Sequence, residues 1–169
     1  MGTKLGWLFC GLLGVLPLSS TGATIYLVRH AEKRQVGVDP ALTACGLARA
    51  NALAADLAEV KLAAVFATPY QRTQQTAAAV AHSQQLKVSL YDPRDTEALL
   101  QQLNQQNQPV LIVGHSNTVP QLVTQLSGIA MAPLTEQDFD MLYQVDTASG
   151  SNTLKRVTLT RQAFHCAAE

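Results

Sequence analysis

The sequence predicts one three-layer α/β/α domain, with a mostly parallel central sheet and a C-terminal β-hairpin at its edge. Three observations carry this expectation. Strand and helix signals alternate from residue 24 onward. Val110–Val113 is an unbroken apolar run rich in β-branched residues, as suits a strand covered on both faces. Beyond Gly128 the pattern changes to two alternating segments flanking Ser149-Gly150-Ser151-Asn152, which reads as a hairpin. A chain of 169 residues holds one such domain and hardly two.

Taken in order, Thr24–Val28 reads as a buried strand. Thr43 is an N-cap for a helix whose apolar positions Leu47, Ala50, Ala54 and Leu57 recur three and four apart. Leu62–Phe66 is a short strand, and Thr68 and Pro69 open a second helix that runs through Thr76 and Val80. Leu86–Tyr91 is a third strand, ended by Asp92-Pro93, with a helix over Asp95–Leu103. The glutamine-rich stretch after it reads as a solvated helix end and loop. Val110–Val113 is the next strand and Asn117–Leu126 its helix. Phe139–Val145 and Thr153–Thr160 form the hairpin.

The first 23 residues differ in kind. Lys4 precedes an apolar stretch from Leu5 to Leu18, and small residues follow, with Thr21 and Ala23 suited to cleavage after Ala23. This is the layout of a secretory signal peptide, so residues 1–23 are expected to be removed and 24–169 to form the domain. The apolar run is short for a membrane span, which needs about 20 residues. The mature chain is therefore expected in the periplasm or outside the cell, free of the membrane. If the segment is not cleaved, it tethers the domain instead. Export would place Cys45 and Cys166 where a disulfide can persist, although the sequence does not say whether they meet.

Net formal charge is zero and there is no basic run, which argues against a nucleic-acid partner held by phosphate attraction. No Cys-His cluster has zinc spacing. The chemistry gathers instead at strand ends, the edge where open α/β sheets bind ligands. Arg29-His30-Ala31-Glu32 follows the first strand, Ala67-Thr68-Pro69-Tyr70-Gln71-Arg72-Thr73-Gln74-Gln75-Thr76 the second, and Gly114-His115-Ser116-Asn117-Thr118 the fourth. Leu42-Thr43-Ala44-Cys45-Gly46 lies between the first two.

With these four motifs in this order, the chain resembles the histidine phosphatase superfamily, also called phosphoglycerate mutase-like, from about Ile25 to Val123. Ala31 stands where glycine is common, and Arg49 where glutamine is frequent. The resemblance implies a phosphatase in which His30 is the nucleophile and Arg29, Arg72 and His115 bind the phosphoryl group, with no cofactor and no metal. The chemistry is coherent. A neutral imidazole can attack a phosphate dianion without charge repulsion and form a phosphohistidine. Two forked guanidiniums offer donors that lysine cannot copy.

Asn117 is either a phosphate ligand or a helix cap, and Glu32 lies near the site or pairs with Lys33 or Arg34. His82 and His165 read as surface residues. The resemblance also implies a carboxyl general acid after the third strand, where Asp92, Asp95 and Glu97 are candidates and Glu97 is preferred. Asp92 reads equally as a turn residue and Asp95 as a cap, and small members with good leaving groups manage without an acid. The interval from Arg72 to His115 has no room for a lid, which favours a phosphatase over a mutase.

The partner is then a small phosphorylated substrate, such as an envelope sugar phosphate, or a phosphoprotein. A phosphohistidine protein phosphatase and a non-catalytic phosphate- or phosphoprotein-binding module are the alternatives.

Overall fold

The computed structural model describes residues 23–147 and 155–166. The expected signal segment up to Gly22 and the hairpin turn Ser149–Asn152 lie outside the described residues. Among the described residues the elements are, in order, β1 (Thr24–Arg29), α1 (Ala44–Asp56), β2 (Ala64–Ala67), α2 (Gln71–Ser83), β3 (Val88–Leu90), α3 (Thr96–Leu103), β4 (Val110–Gly114), α4 (Thr118–Ser127), β5 (Met141–Asp146) and β6 (Arg156–Arg161). The sheet order is β3-β2-β4-β1-β5-β6. The first four strands pair in parallel, whereas β5 runs antiparallel to β1 and carries β6 at the edge.

Strand alternation divides the core in two, because successive side chains point to opposite faces. Ile25, Leu27, Phe66, Val110 and Ile112 pack with Leu99 and Leu103 of α3 and Val119, Leu122 and Val123 of α4. Val28, Val65, Ala67, Leu111 and Val113 pack with Leu53 of α1 and Ala77 and Val80 of α2. Leu27, Leu111 and Ile112 are fully buried, so truncating any of them to Ala should cost about 2–5 kcal/mol.

Several boundaries differ from those read off the sequence. The second helix begins at Gln71, not at Pro69, because Tyr70 is extended (φ −101°, ψ 144°). A residue before proline is also biased away from helix, which keeps Thr68 out. Strand β3 is only three residues long, and β5 starts at Met141, leaving Phe139 in the preceding loop. Thr43 caps α1 as expected, its hydroxyl accepting from Gly46 N at 3.0 Å, a contribution of about 1 kcal/mol.

Cys45 and Cys166 are bridged, with Cα atoms 5.6 Å apart across a sequence separation of 121. The bridge ties the C-terminal segment to the start of α1. Beside it Arg49, buried despite its charge, binds both carboxylate oxygens of Glu32 at 2.7–3.0 Å. Glu32 is thereby paired with Arg49 and not with Lys33 or Arg34.

Candidate active site

Parallel pairing explains why two histidines far apart in sequence come together. In the β1–β4 register Arg29 lies opposite Gly114. His30 and His115 are each the next residue, so they leave the sheet side by side. The His30 backbone N–H still bonds the Gly114 carbonyl at 3.0 Å, which carries the pairing one residue past the strand. The rings stand edge to face, with centroids 5.5 Å apart. Gly114 has no room for a side chain, since a Cβ there would press on the Thr118 hydroxyl, Val119 and the Tyr91 hydroxyl.

His30 is 3% exposed. Its Nδ1 sits 2.8 Å from the carbonyl oxygen of Ala31. A carbonyl can only accept, so Nδ1 carries the proton and Nε2 keeps the lone pair. The Ala31 N–H in turn donates to the Thr76 hydroxyl at 3.0 Å, and that hydroxyl donates to the Arg72 carbonyl at 2.7 Å. The Ala31 methyl packs among Leu42, Ala50 and Ala79, so alanine fits without displacing the histidine. Burial, with Arg29, His115 and Arg72 nearby, pushes the His30 pKa down to about 3.

Arg29 and Arg72 share one arrangement. Arg29 is stacked 4.2 Å above the Phe139 ring and donates from Nη1 to the Thr135 carbonyl and from Nη2 to Glu136, at 2.6 and 2.9 Å. Arg72 lies 4.5 Å from the Tyr70 ring and pairs through Nη1 with Asp39 at 3.5 Å. In each guanidinium the Nε–H is buried and has no partner among the described residues. Buried donors are normally satisfied, and two orphans beside two histidines mark the place of an absent acceptor. The reach of Arg72 follows from its position in the first turn of α2, whose N-terminal Gln71 N–H is held by both oxygens of Asp39.

His115 lines an open groove with Tyr70, Arg72, Pro93, Arg94, Asn117 and Thr118. Its pKa is lowered to about 4 by burial, then by Arg72 and Arg29. Its Nε2 lies 3.0 Å from the Thr68 hydroxyl.

Arg29, His30, Arg72 and His115 thus converge, and Asn117 lies at the groove rim, exposed and without a side-chain capping bond. Glu97 is not brought to them. It is exposed in the first turn of α3 and is not among the residues lining the His115 groove. Asp95 caps α3 through Ala98 N at 3.1 Å. Asp92 is a turn residue bound by the Arg94 side chain and backbone N–H, which holds its carboxyl down to about 2.

The remaining motif residues brace the site. Gly46 is required because any Cβ there would collide with the Glu32 carbonyl, and Gln75 accepts from the Leu42 N–H at 2.7 Å. Sequence reasoning missed Asp39, Thr135, Glu136 and Phe139. They come from loops with no motif around them and reach the arginines only through the fold. Phe139 had a signal, but one that placed it in a strand.

Residues 25–93 match the family described as "Histidine phosphatase superfamily (branch 1)". No curated protein matches the chain by sequence. Among solved structures, the protein histidine phosphatase SixA complexed with tungstate is similar at TM-score 0.67 and 20% identity, covering 82% of this chain and 97% of that one. The putative phosphohistidine phosphatase SixA from Agrobacterium tumefaciens is similar at TM-score 0.56 and 21% identity, covering 75% and 93%. The mycobacterial glucosyl-3-phosphoglycerate phosphatase in complex with inorganic phosphate is similar at TM-score 0.65 and 13% identity, covering 83% and 97%. At such identities these likenesses speak for the fold.

Proposed function

We propose that this chain, whose residues 25–93 match the histidine phosphatase superfamily, hydrolyses a phosphorylated substrate through a phosphohistidine intermediate on His30. The observation that carries this reading is the pair of buried, unpartnered Nε donors of Arg29 and Arg72 beside a histidine whose Nδ1 is tied down. An anion with several acceptor oxygens satisfies both donors at once. Nε2 of His30 attacks phosphorus, the bond to the leaving group breaks, and water then attacks the phosphohistidine to release phosphate. The guanidiniums and His115 stabilise charge on the transferring oxygens. They occupy the electrostatic role that a metal ion fills in other phosphatases, so we infer a reaction without one.

Burst release from p-nitrophenyl phosphate, with trapping of an acid-labile phosphoenzyme, tests this reading. Turnover and trapped phosphate should both vanish in His30→Ala. A wild type that binds phosphate yet shows neither would support the non-catalytic binding module instead.

One observation favours a particular substrate chemistry. Asp92 is held ionised by Arg94 and Glu97 stands apart from the groove, so neither is well suited to protonate a poor leaving group. A phosphorylated nitrogen, as in phosphohistidine, leaves readily without such help. That agrees with the name of the SixA neighbour. A sugar phosphate, as in the name of the mycobacterial neighbour, remains the other substrate class. We further propose that the protein works after export, in the periplasm or outside the cell. The Cys45–Cys166 bridge suits an oxidising compartment.

A further inference from the structure

Thr68 is fully buried at the end of β2 and has no part in the chemistry described above, yet it touches His115. The proton positions around it follow from counting. The Thr73 hydroxyl lies 2.9 Å from the Thr68 carbonyl and 2.8 Å from the Tyr70 carbonyl, and carbonyls cannot donate. The single Thr73 proton is therefore spent on them. At 2.8 Å, the Thr68 hydroxyl must then be the donor to Thr73 Oγ1, or two lone pairs would face each other in a dry site. Having given its proton to Thr73, Thr68 can only accept from His115 Nε2. The chain runs in one direction, from His115 Nε2–H through Thr68 and Thr73 to the backbone.

We propose that Thr68 is a positioning residue that locks His115 in the Nε2–H tautomer, so that an oxyanion in the site can be bound by His115 only with uptake of a proton on Nδ1. The role assumes the phosphatase reading above. Neutral His115 in this tautomer offers Nδ1 as a lone pair, which repels an anionic oxygen. Protonated, it offers a charged donor. No bond other than N–H is made, and the proton comes from solvent or arrives with the substrate.

The surroundings set the sign. His115 faces Arg29 and His30 from β1, Arg72 and Tyr70 from the β2–α2 segment, and Arg94 across the groove from the β3–α3 segment. The carboxylates of Asp39 and Glu136 are engaged by Arg72 and Arg29. The cradle is thus cationic and, together with burial, keeps His115 neutral, with its pKa near 4. A bound dianion offsets those cations and raises that pKa. A proton should therefore enter with the anion at neutral pH and leave with it.

Three measurements test this. In the free wild-type protein, 15N NMR should report His115 as the Nε2–H tautomer at pH 7. Calorimetric titration of tungstate in buffers of different ionisation enthalpy should show uptake of about one proton per anion, and uptake should persist in His30→Ala. In Thr68→Val the tautomer is released and Nδ1–H can meet the anion unaided. Proton uptake should then fall towards zero, with about a tenfold loss of kcat/KM from the missing hydrogen bond, and Thr68→Ser should restore both.

An Nδ1–H signal in the free protein overturns the proposal without any variant. Unchanged proton uptake in Thr68→Val also overturns it. A Thr68→Ser protein as impaired as Thr68→Val would make the residue a packing element only. If the wild type neither binds tungstate nor turns over, the phosphatase reading falls, while the tautomer in the free protein still decides the role of Thr68.

Discussion

His30 donates from Nδ1 to the Ala31 carbonyl at 2.8 Å, and this one bond leaves Nε2 as the nitrogen able to attack. Ala31 is itself anchored through its N–H to Thr76 on α2. His30, the proposed nucleophile, is thus oriented by the same helix that carries Arg72. Removing it should be severe. His30→Ala should lower kcat by at least about 10³-fold, as loss of an activated nucleophile does elsewhere, with tungstate still bound. Rapid-quench measurement of phosphoenzyme checks this.

The acid limb of activity should lie far below the ordinary histidine range. Attack requires neutral His30, whose pKa in the folded protein is about 3. The acid limb of kcat/KM reports free-enzyme groups. With p-nitrophenyl phosphate it should therefore show no fall as pH drops from 7 to about 5.5, whereas an unperturbed imidazole would fail near 6.5. An acid limb centred near 6.5 would contradict this.

Stability should show the same histidine. Unfolded His30 takes a proton near pH 6.5 and folded His30 only near 3, so between those values the unfolded state binds more protons. Stability is then fully present above 6.5 and declines as pH falls, by up to about 1.4 kcal/mol per unit from this group. His30→Gln should remove about half of the slope between pH 7 and 5, measured by urea denaturation, because His115, near 4, contributes over the same range.

The two arginines should respond differently to charge-conserving and charge-removing changes. Arg72→Lys keeps a cation but loses the forked geometry and the buried Nε donor. Tungstate affinity should fall about 10- to 100-fold, as loss of charge-assisted hydrogen bonds worth about 1.5–3 kcal/mol implies. Glu136→Gln acts the other way. Its carboxylate is 80% exposed and pairs with Arg29, so its removal should cost little and free the guanidinium. Anion affinity should rise by up to about fivefold, in line with an exposed ion pair.

The Cys45–Cys166 bridge closes a loop spanning most of the domain. Cys45→Ser, or a reductant, should lower stability by about 2–4 kcal/mol, seen as a lower Tm. An unchanged Tm in dithiothreitol would show that the C-terminal segment is held without the bridge, by contacts such as those of Arg49 with the Phe164 carbonyl and ring.

Much of the site was legible because the motif residues lie within a few positions of strand ends. Arg29-His30 and Gly114-His115 each follow an apolar run, and a parallel sheet delivers such ends to one edge. Arg72 was legible from its place at the start of a helix. Whether Asp92, Asp95 or Glu97 reaches the groove was not legible, because that depends on side-chain direction. That direction is set by Arg94, by the helix cap and by solvent.

The order of elements and the layering follow from periodicity, and the four residues of the candidate site from local motifs read through their resemblance to a known family; such patterns act over a few residues and leave their mark in the sequence. The rest was decided by tertiary structure. The β1–β4 register sets His30 beside His115, and distant loops bring Asp39 and Glu136 to the two arginines. The Thr68–Thr73 chain aims its bonds at a histidine 47 positions away. Contacts of this kind depend on which strands become neighbours, and no local pattern of residue types encodes them.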